Sequence, residues 1–205
     1  MTDYAIVILL SYLLGSSSMA FYLSKWKRVN LRSGGSQNLG ASNTTLLLGW
    51  KAGILVAVHD ILKGVVAVMA AKWMFPQLPW IGAVAGVSCV LGHIFPFYLK
   101  FKGGKGFAAY LGMLLALNWK AALVILVAVV VVTLITDYIV TGTTLTVVTA
   151  PCWLGIQNHS WLLAGILCIA SLVILYKHRE NYIRIYQGSE AGLQSAIRGD
   201  HRRKS

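Results

Sequence analysis

Lysines and glycines lie close together in the stretch 92–106, which reads GHIFPFYLKFKGGKG. An apolar run ends there, and three lysines follow within six residues: Lys100, Lys102 and Lys105. Three glycines flank the last of these lysines: Gly103, Gly104 and Gly106. Glycine lets backbone N–H groups approach a ligand closely, and lysine supplies a compact positive charge. At the edge of an apolar segment, this combination predicts a binding site for a phosphate group.

A second polar stretch covers residues 32–45, RSGGSQNLGASNTT, and contains almost no apolar residues. Backbone N–H groups in such a loop can form an anion-binding nest. Four side chains add hydrogen-bond donors: Ser36, Asn38, Ser42 and Asn43. Glycine and serine are also typical of a flexible loop that binds nothing, and composition alone favours that interpretation over an anion-binding nest.

Two further pairs have the i,i+3 spacing that puts both members on one face of a helix. Asp60 and Lys63 lie inside the apolar run 53–71, where charged side chains usually face the interior of a helix bundle. This pair fits a structural ion pair that anchors the neighbouring loop as well as it fits a catalytic role. His178 and Asn181 follow the last apolar segment, and taken alone this pair is better interpreted as a solvated helix end than as a functional pair.

Several common catalytic patterns are absent from the sequence. It has no G-x-S-x-G motif, no histidine with an aspartate five positions later, and no GK[ST] ending of a nucleotide-binding loop. Four histidines have no partner at metal-ligand spacing: His59, His93, His159 and His201. We therefore predict no metal site and no cofactor. Three cysteines without a CxxC spacing indicate neither a disulfide nor zinc: Cys89, Cys152 and Cys168.

The elements that position these residues are predicted to be membrane-spanning helices. The chain has 205 residues, of which 57% are hydrophobic and 12% charged, against roughly 25% charged residues in a soluble domain. Seven apolar segments are indicated: 4–24, 53–74, 80–99, 107–117, 121–136, 139–157 and 160–177. Segment 107–117 spans only about 16 Å of a core of about 30 Å. It is either a half-helix or part of a longer helix with 121–136.

The distribution of the net charge of +12 predicts the orientation of the chain. Most cations lie in the loops 25–51 and 100–106 and in the tail from Lys177, whereas Lys72 and Lys120 fall on the opposite side. The positive-inside rule then puts the N-terminus outside and the tail in the cytoplasm. The charge is thus a topology signal rather than a sign of nucleic-acid binding, although the tail could also contact anionic lipid.

The domain organisation is predicted to be simple. Residues 1–190 form one membrane domain, and residues 191–205 form a basic cytoplasmic tail. A cleaved signal peptide over the first segment is disfavoured, because no basic residue precedes its apolar core and Lys25, Lys27 and Arg28 follow it. The fold class is an all-α integral membrane bundle of seven helices, some of them short or broken.

Four motifs make the chain resemble the bacterial acyl-phosphate:glycerol-3-phosphate acyltransferase family. In the family's order they are GGSQNLGASN at 34–43, DILKG at 60–64, GHIFPFYLKFKGGKG at 92–106 and HRENYIRIYQGSE at 178–190. The resemblance implies a seven-helix enzyme of the bacterial inner membrane whose active site faces the cytoplasm. It implies transfer of a fatty acyl group from acyl phosphate to the 1-hydroxyl of glycerol 3-phosphate, giving lysophosphatidic acid and phosphate. Membrane lipids are the other expected partners of a monomeric chain.

The resemblance also assigns roles to residues. The catalytic candidates are Ser36, Lys105, His178 and Asn181. The substrate-binding or phosphate-binding candidates are Gly34, Gly35, Asn38, Gly40, Asn43, His93, Gly103, Gly104 and Gly106. Asp60 and Lys63 are expected to brace the site. An acyl phosphate is a mixed anhydride and needs no nucleophilic serine, so juxtaposition and charge stabilisation suffice. Either a substrate phosphate oxygen or His178 accepts the hydroxyl proton.

Three positions depart from the family pattern. Gln37 replaces a usual glycine, and Val140 replaces a usual serine. Leu46 stands where the family usually has an arginine that is thought to grip the acceptor's phosphate. Its loss should lower the affinity for glycerol 3-phosphate unless another cation, such as Lys51, compensates. Two alternatives therefore stay open: a paralogue that acylates a different acceptor, and a non-catalytic protein that binds or moves phospholipid.

Overall fold

The computed structural model describes residues 2–190 and 192–194. Nine α-helices lie within these residues: α1 Thr2–Ser16, α2 Met19–Lys27, α3 Ala41–Leu48, α4 Trp50–Met74, α5 Ile81–Ile94, α6 Phe107–Leu117, α7 Trp119–Thr136, α8 Ile139–Gln157 and α9 Trp161–Tyr186. A short 3₁₀ turn, Phe97–Leu99, follows α5. The predicted tail, apart from residues 192–194, lies outside the described residues.

The helices group into two compact units, Met1–Trp119 and Lys120–Ser205. The sequence predicts one domain over 1–190, and that statement stays a prediction. The first unit contains α1 to α6 together with both lysine- and glycine-rich loops. The second contains α8 packed against α9, and α9 continues to Tyr186, well past the predicted end at 177. His178 and Asn181 therefore lie on a helix.

Small residues hold the helices of the first unit close together. In the contact between α1 and α5, Gly15 lies against the backbone of Cys89, and Gly92 lies against the backbone of Tyr12. The contact between α4 and α6 has the same character at Gly64 and Gly112. A side chain at any of these positions would collide with backbone atoms. Such close approach is typical of helices packed within a membrane, where van der Waals contact replaces the hydrophobic effect.

Six helical stretches among the described residues are long and apolar enough to cross a membrane: Thr2–Lys27, Trp50–Met74, Ile81–Leu99, Trp119–Thr136, Ile139–Gln157 and Trp161–Tyr186. The sequence predicts that the short segment is either a half-helix or part of a longer helix with 121–136. In the structure it is a separate short helix, Phe107–Leu117, which ends before Asn118. Asn118 has an extended backbone, and Lys72 donates to the carbonyl of Ala116 at 3.0 Å. The count of seven membrane helices stays a prediction.

The first predicted segment is divided at Ser17. The helix stops at Ser16, and Ser18 starts α2 by accepting a hydrogen bond from the N–H of Phe21 at 3.3 Å. α2 ends at Arg28, which adopts the left-handed conformation with φ of 54°. At this break the carbonyl of Ser17 accepts a hydrogen bond from the ammonium of Lys63 at 2.8 Å.

Candidate active site

The lysine-bearing loop folds back along the end of α5. The N–H of Gly103 donates to the carbonyl of Ile94 at 3.0 Å, and the N–H of Gly104 donates to that of His93 at 3.1 Å. These two N–H groups are therefore used within the fold, which differs from the expectation that they point at a phosphate. Gly103 and Gly104 still shape the loop, because their amides set its path beside α5.

Close packing explains why both positions are glycine. A Cβ atom on Gly103 would collide with the carbonyl oxygen of His93, and one on Gly104 would collide with Nε2 of the same residue. Gly106 precedes α6 in the left-handed conformation, with φ of 93°. Lys105 lies between these glycines and is half-buried. Lys105 thus follows two closely packed glycines and precedes one in the left-handed conformation.

The glycine-rich stretch is an ordered turn followed by a helix. Residues 41–45, predicted as loop, form the start of α3, because Gly40 is an N-cap residue in extended conformation. Asn43 is buried and braces the turn: its Oδ1 accepts from the N–H of Ser36 at 2.8 Å, and its Nδ2 donates to the carbonyl of Leu31 at 2.7 Å. Asn43 therefore acts on the shape of the loop, whereas Ser36 is exposed and Asn38 half-buried.

The turn itself uses two left-handed residues. Gly35 has φ of 57°, and Gln37 has φ of 55° with its N–H bonded to the carbonyl of Gly34 at 3.0 Å. Glycine enters this conformation freely, whereas an L residue does so at about 1–2 kcal/mol. The glutamine that departs from the family pattern thus keeps a glycine-type backbone at a cost in stability.

The structure brings the two loops together. The guanidinium of Arg32 donates to the carbonyl of Lys102, and the carbonyl of Leu39 lies beside Gly104, 3.0 Å from where a Cβ would stand. In the sequence, Arg32 is one of several loop cations, and no motif predicts a role for it in the site. Its signal, an arginine just before the glycines, does not specify a partner seventy residues away.

A buried polar network lies beneath the lysine-bearing loop. The ammonium of Lys63 donates to Oδ1 of Asp60, the carbonyl of Ser17 and Nδ1 of His93, each at 2.8 Å. All three protons of the ammonium therefore have acceptors. His59 completes the network, with Nδ1 3.3 Å from Oδ1 of Asp60 and Nε2 3.1 Å from the Ser17 hydroxyl.

His93 belongs to this buried network. It is 6% exposed, and it contacts Lys63 and the lysine-bearing loop rather than an open surface. Its predicted contact with substrate stays a prediction. The ammonium of Lys63 occupies the centre of the network and bonds to Asp60 and His93, which are residue types that could otherwise bind a metal. Among residues 2–190 and 192–194, no three His, Cys, Asp or Glu side chains form a metal-binding group.

The structure shows where Leu46 and Val140, the other two departures from the family pattern, lie. Leu46 lies on α3 with its Cδ2 against Gly35, so an apolar side chain covers the turn where the resemblance expects an arginine. Val140 is buried at the start of α8, and its carbonyl accepts from the Thr144 hydroxyl at 2.9 Å. Neither position supplies a side-chain hydrogen bond.

In the second unit, α9 carries His178 and Asn181, and both are buried. Nδ1 of His178 lies 2.8 Å from the carbonyl of Ile174. A carbonyl only accepts hydrogen bonds, so Nδ1 carries a proton, and the neutral tautomer with that proton has Nε2 as its accepting nitrogen. This tautomer suits a group that receives a hydrogen bond from a hydroxyl.

The carboxylate of Glu190, which is not among the predicted site residues, positions Asn181. Beyond α9 the chain reverses at Gly188, which has φ of 67°, and the N–H of Glu190 donates to the carbonyl of Arg184 at 3.1 Å. Glu190 then accepts from Nδ2 of Asn181 at 2.6 Å and from Nε of Arg184 at 2.5 Å. The glycine two residues before the glutamate is the signal for such a reversal.

Comparison with known proteins agrees with this architecture. The family model for glycerol-3-phosphate acyltransferase matches residues 5–188. A glycerol-3-phosphate acyltransferase of Geobacter sulfurreducens is 33% identical over 190 residues, 93% of this chain and 97% of the relative. One from Coxiella burnetii is 38% identical over 191 residues, 91% of this chain and 96% of the relative.

Two crystal structures of the integral membrane glycerol 3-phosphate acyltransferase PlsY also match. The glycerol 3-phosphate form superposes with a TM-score of 0.89 at 31% identity and covers 97% of this chain and 99% of PlsY. The lysophosphatidic acid form superposes with a TM-score of 0.84 and covers 95% and 98%. The chain therefore belongs to the glycerol-3-phosphate acyltransferase family and is an integral membrane acyltransferase of the PlsY type.

Proposed function

We propose that this enzyme transfers a fatty acyl group from acyl phosphate to the 1-hydroxyl of glycerol 3-phosphate, releasing lysophosphatidic acid and inorganic phosphate. Family membership supports the acceptor, and PlsY has been crystallised in a glycerol 3-phosphate form and a lysophosphatidic acid form. The donor is inferred from the resemblance of the four motifs. The same resemblance supports a monomer in the bacterial inner membrane, with its N-terminus outside and the reaction on the cytoplasmic side.

The observation that carries the proposal is the junction of the two loops through Arg32 and Lys102. The junction holds the exposed Ser36 and the lysine-bearing loop on one part of the first unit. Lys105 supplies a positive charge next to the closely packed Gly103 and Gly104, which suits a phosphate oxygen or a developing oxyanion. Gly34, Gly35, Gly40 and Asn38 form the turn that is proposed to hold a phosphate.

The proposed chemistry needs no covalent acyl-enzyme. The 1-hydroxyl oxygen attacks the carbonyl carbon of acyl phosphate, a new C–O ester bond forms, and the bond between the acyl carbon and the phosphate oxygen breaks. The leaving phosphate takes the electron pair of the broken bond. The hydroxyl proton passes to a phosphate oxygen or, in the competing scheme, to Nε2 of His178. Asn181 is proposed to bind a charged substrate oxygen.

A different acceptor is the second candidate function, and Leu46 is the observation that favours it. Leu46 packs on the glycine-rich turn, so this position offers no charge to the acceptor's phosphate. A smaller or uncharged alcohol would suit such a turn better than a phosphomonoester. The comparisons support an enzyme, which argues against the alternative of a non-catalytic phospholipid-binding protein.

One assay separates these candidates. Purified protein in detergent receives acyl phosphate with glycerol 3-phosphate or with glycerol, and both phosphate and the acylated product are measured. The proposal predicts lysophosphatidic acid and phosphate in equal amounts, with turnover abolished in Lys105→Ala. Phosphate release with glycerol but not with glycerol 3-phosphate would establish the second candidate. A His178→Gln variant that keeps most of its kcat would exclude His178 as the base.

A further inference from the structure

A groove of about 540 Å³ lies where α2 ends and the chain turns toward the glycine-rich loop. Three cations line it: Lys25, Arg28 and Arg32. Three apolar side chains also line it: Phe21, Val29 and Leu39. Cationic and apolar walls in one groove suit an amphiphile that carries a negative head. Ser36 and Lys105 do not line the groove, whereas Arg32 and Leu39, which do, belong to the glycine-rich stretch.

The first unit has few carboxylates to balance the positive charge of the groove. Residues 1–119 contain two carboxylates, Asp3 in the first turn of α1 and Asp60 in the buried network. Within the described residues, none of the three groove cations forms an ion pair. Clustered cations without carboxylates raise the local concentration of anions.

Arg28 occupies a position that glycine would fill more easily. It closes α2 in the left-handed conformation, with φ of 54°, and its N–H donates to the carbonyl of Lys25 at 3.3 Å. Helices commonly end on glycine there because a Cβ atom is unfavourable in this conformation. An arginine in this strained backbone conformation points to a use for its side chain.

The aromatic residues of α2 indicate at which level of the bilayer the groove lies. α2 is the end of the candidate span Thr2–Lys27, and Trp26 and Tyr22 on it are 74% and 45% exposed. Tryptophan and tyrosine at the end of a span are typical of the headgroup layer of a bilayer. The groove therefore opens at the level where lipid phosphates lie.

We propose that this groove binds the phosphate of an anionic phospholipid headgroup. Lys25, Arg28 and Arg32 contact the headgroup, and the adjoining glycerol and acyl carbons lie along Phe21 and Leu39. Because Leu39 and Arg32 also contact the lysine-bearing loop, a bound lipid would pack against the base of both loops. The inference concerns a lipid site and does not depend on which acceptor the enzyme acylates.

Native mass spectrometry of the full chain, with either phosphatidylglycerol or phosphatidylcholine added, tests this inference. The first phosphatidylglycerol should bind more tightly than phosphatidylcholine. Lys25→Gln and Arg28→Gly should each weaken phosphatidylglycerol binding about fivefold. Lys27→Gln is the matched control, because Lys27 lies on the same helix, stacks on the Trp26 ring at 4.5 Å and does not line the groove; it should leave binding unchanged.

Arg28→Gly also separates function from folding. It relieves the left-handed strain, so the thermal unfolding temperature should rise while lipid binding weakens. Equal loss in Lys27→Gln, or no preference for the anionic lipid, would overturn the inference. Displacement of the lipid by millimolar inorganic phosphate would show a site for free anions instead. In Lys105→Ala, lipid binding that persists without turnover would leave the inference intact even if the proposed reaction proved wrong.

Discussion

The ammonium nitrogen of Lys63 lies 2.8 Å from Nδ1 of His93. An ammonium only donates hydrogen bonds, so Nδ1 accepts, and the neutral ring carries its proton on Nε2. That nitrogen lies beside Gly104, in the loop that carries Lys105. One imidazole thus connects the buried charges of α4 to the position of the proposed catalytic lysine.

Removing the charge of Lys63 should unfold the first unit more readily. Lys63→Met leaves Asp60 buried without its ammonium partner, and breaking a buried ion pair from one side costs about 3–5 kcal/mol. Thermal unfolding in detergent measures the loss. The double variant Asp60→Asn with Lys63→Met should recover part of it, because no unpaired charge remains. If the single variant unfolded at the wild-type temperature, the network would not support the fold.

A methyl group at Gly104 should reduce turnover. Its Cβ would collide with Nε2 of His93, so the ring and the loop must separate and Lys105 must move. A displacement of about 1 Å can lower a rate roughly 100-fold. Gly165→Ala is the control, since nothing lies within 4 Å of a Cβ there and alanine favours the helix. Steady-state kinetics with equal loss in both variants would contradict this account.

Restoring an arginine at position 46 should improve the use of glycerol 3-phosphate. A charge-assisted hydrogen bond contributes about 1.5–3 kcal/mol, so Leu46→Arg should lower the KM for glycerol 3-phosphate about tenfold or more. Leu46→Met keeps an apolar side chain of similar volume and should leave the KM unchanged. A Leu46→Arg variant that loses activity with glycerol 3-phosphate would favour the different acceptor.

Glu190 should prove necessary for positioning Asn181. In Glu190→Ala, Asn181 and Arg184 both lose the carboxylate that they bind at 2.6 and 2.5 Å, so kcat should fall and the second unit should lose about 1–3 kcal/mol. Glu180→Ala is the matched control, because Glu180 pairs with Arg179 on an exposed surface at 3.5 Å, where ion pairs contribute about 0–1 kcal/mol. Kinetics and unfolding of both variants check this. If Glu190→Ala and Glu180→Ala had the same kcat and the same unfolding temperature, Glu190 would have no role in positioning Asn181.

The residue types and their local spacing could be read from the sequence. The i,i+3 spacing put Asp60 and Lys63 on one helical face, and the structure has them as an ion pair at 2.8 Å. The apolar runs predicted a membrane protein, and the structure has six stretches that could span a bilayer among its described residues. Such features depend on helical periodicity and segment length, which the order of residues fixes directly.

The use of each polar group was decided by the tertiary structure. Gly103 and Gly104 suggested N–H groups for a phosphate, yet these groups donate to Ile94 and His93. Glycine is required wherever two groups approach closely, and the residue type does not distinguish a ligand from a neighbouring helix. Arg32 contacts Lys102, and Lys63 contacts His93, only because packing of α1, α4 and α5 brings distant parts of the chain together. Local periodicity carries no information about such contacts, so the sequence determined which groups this enzyme has, and the packing of its helices decided which of them hold the fold.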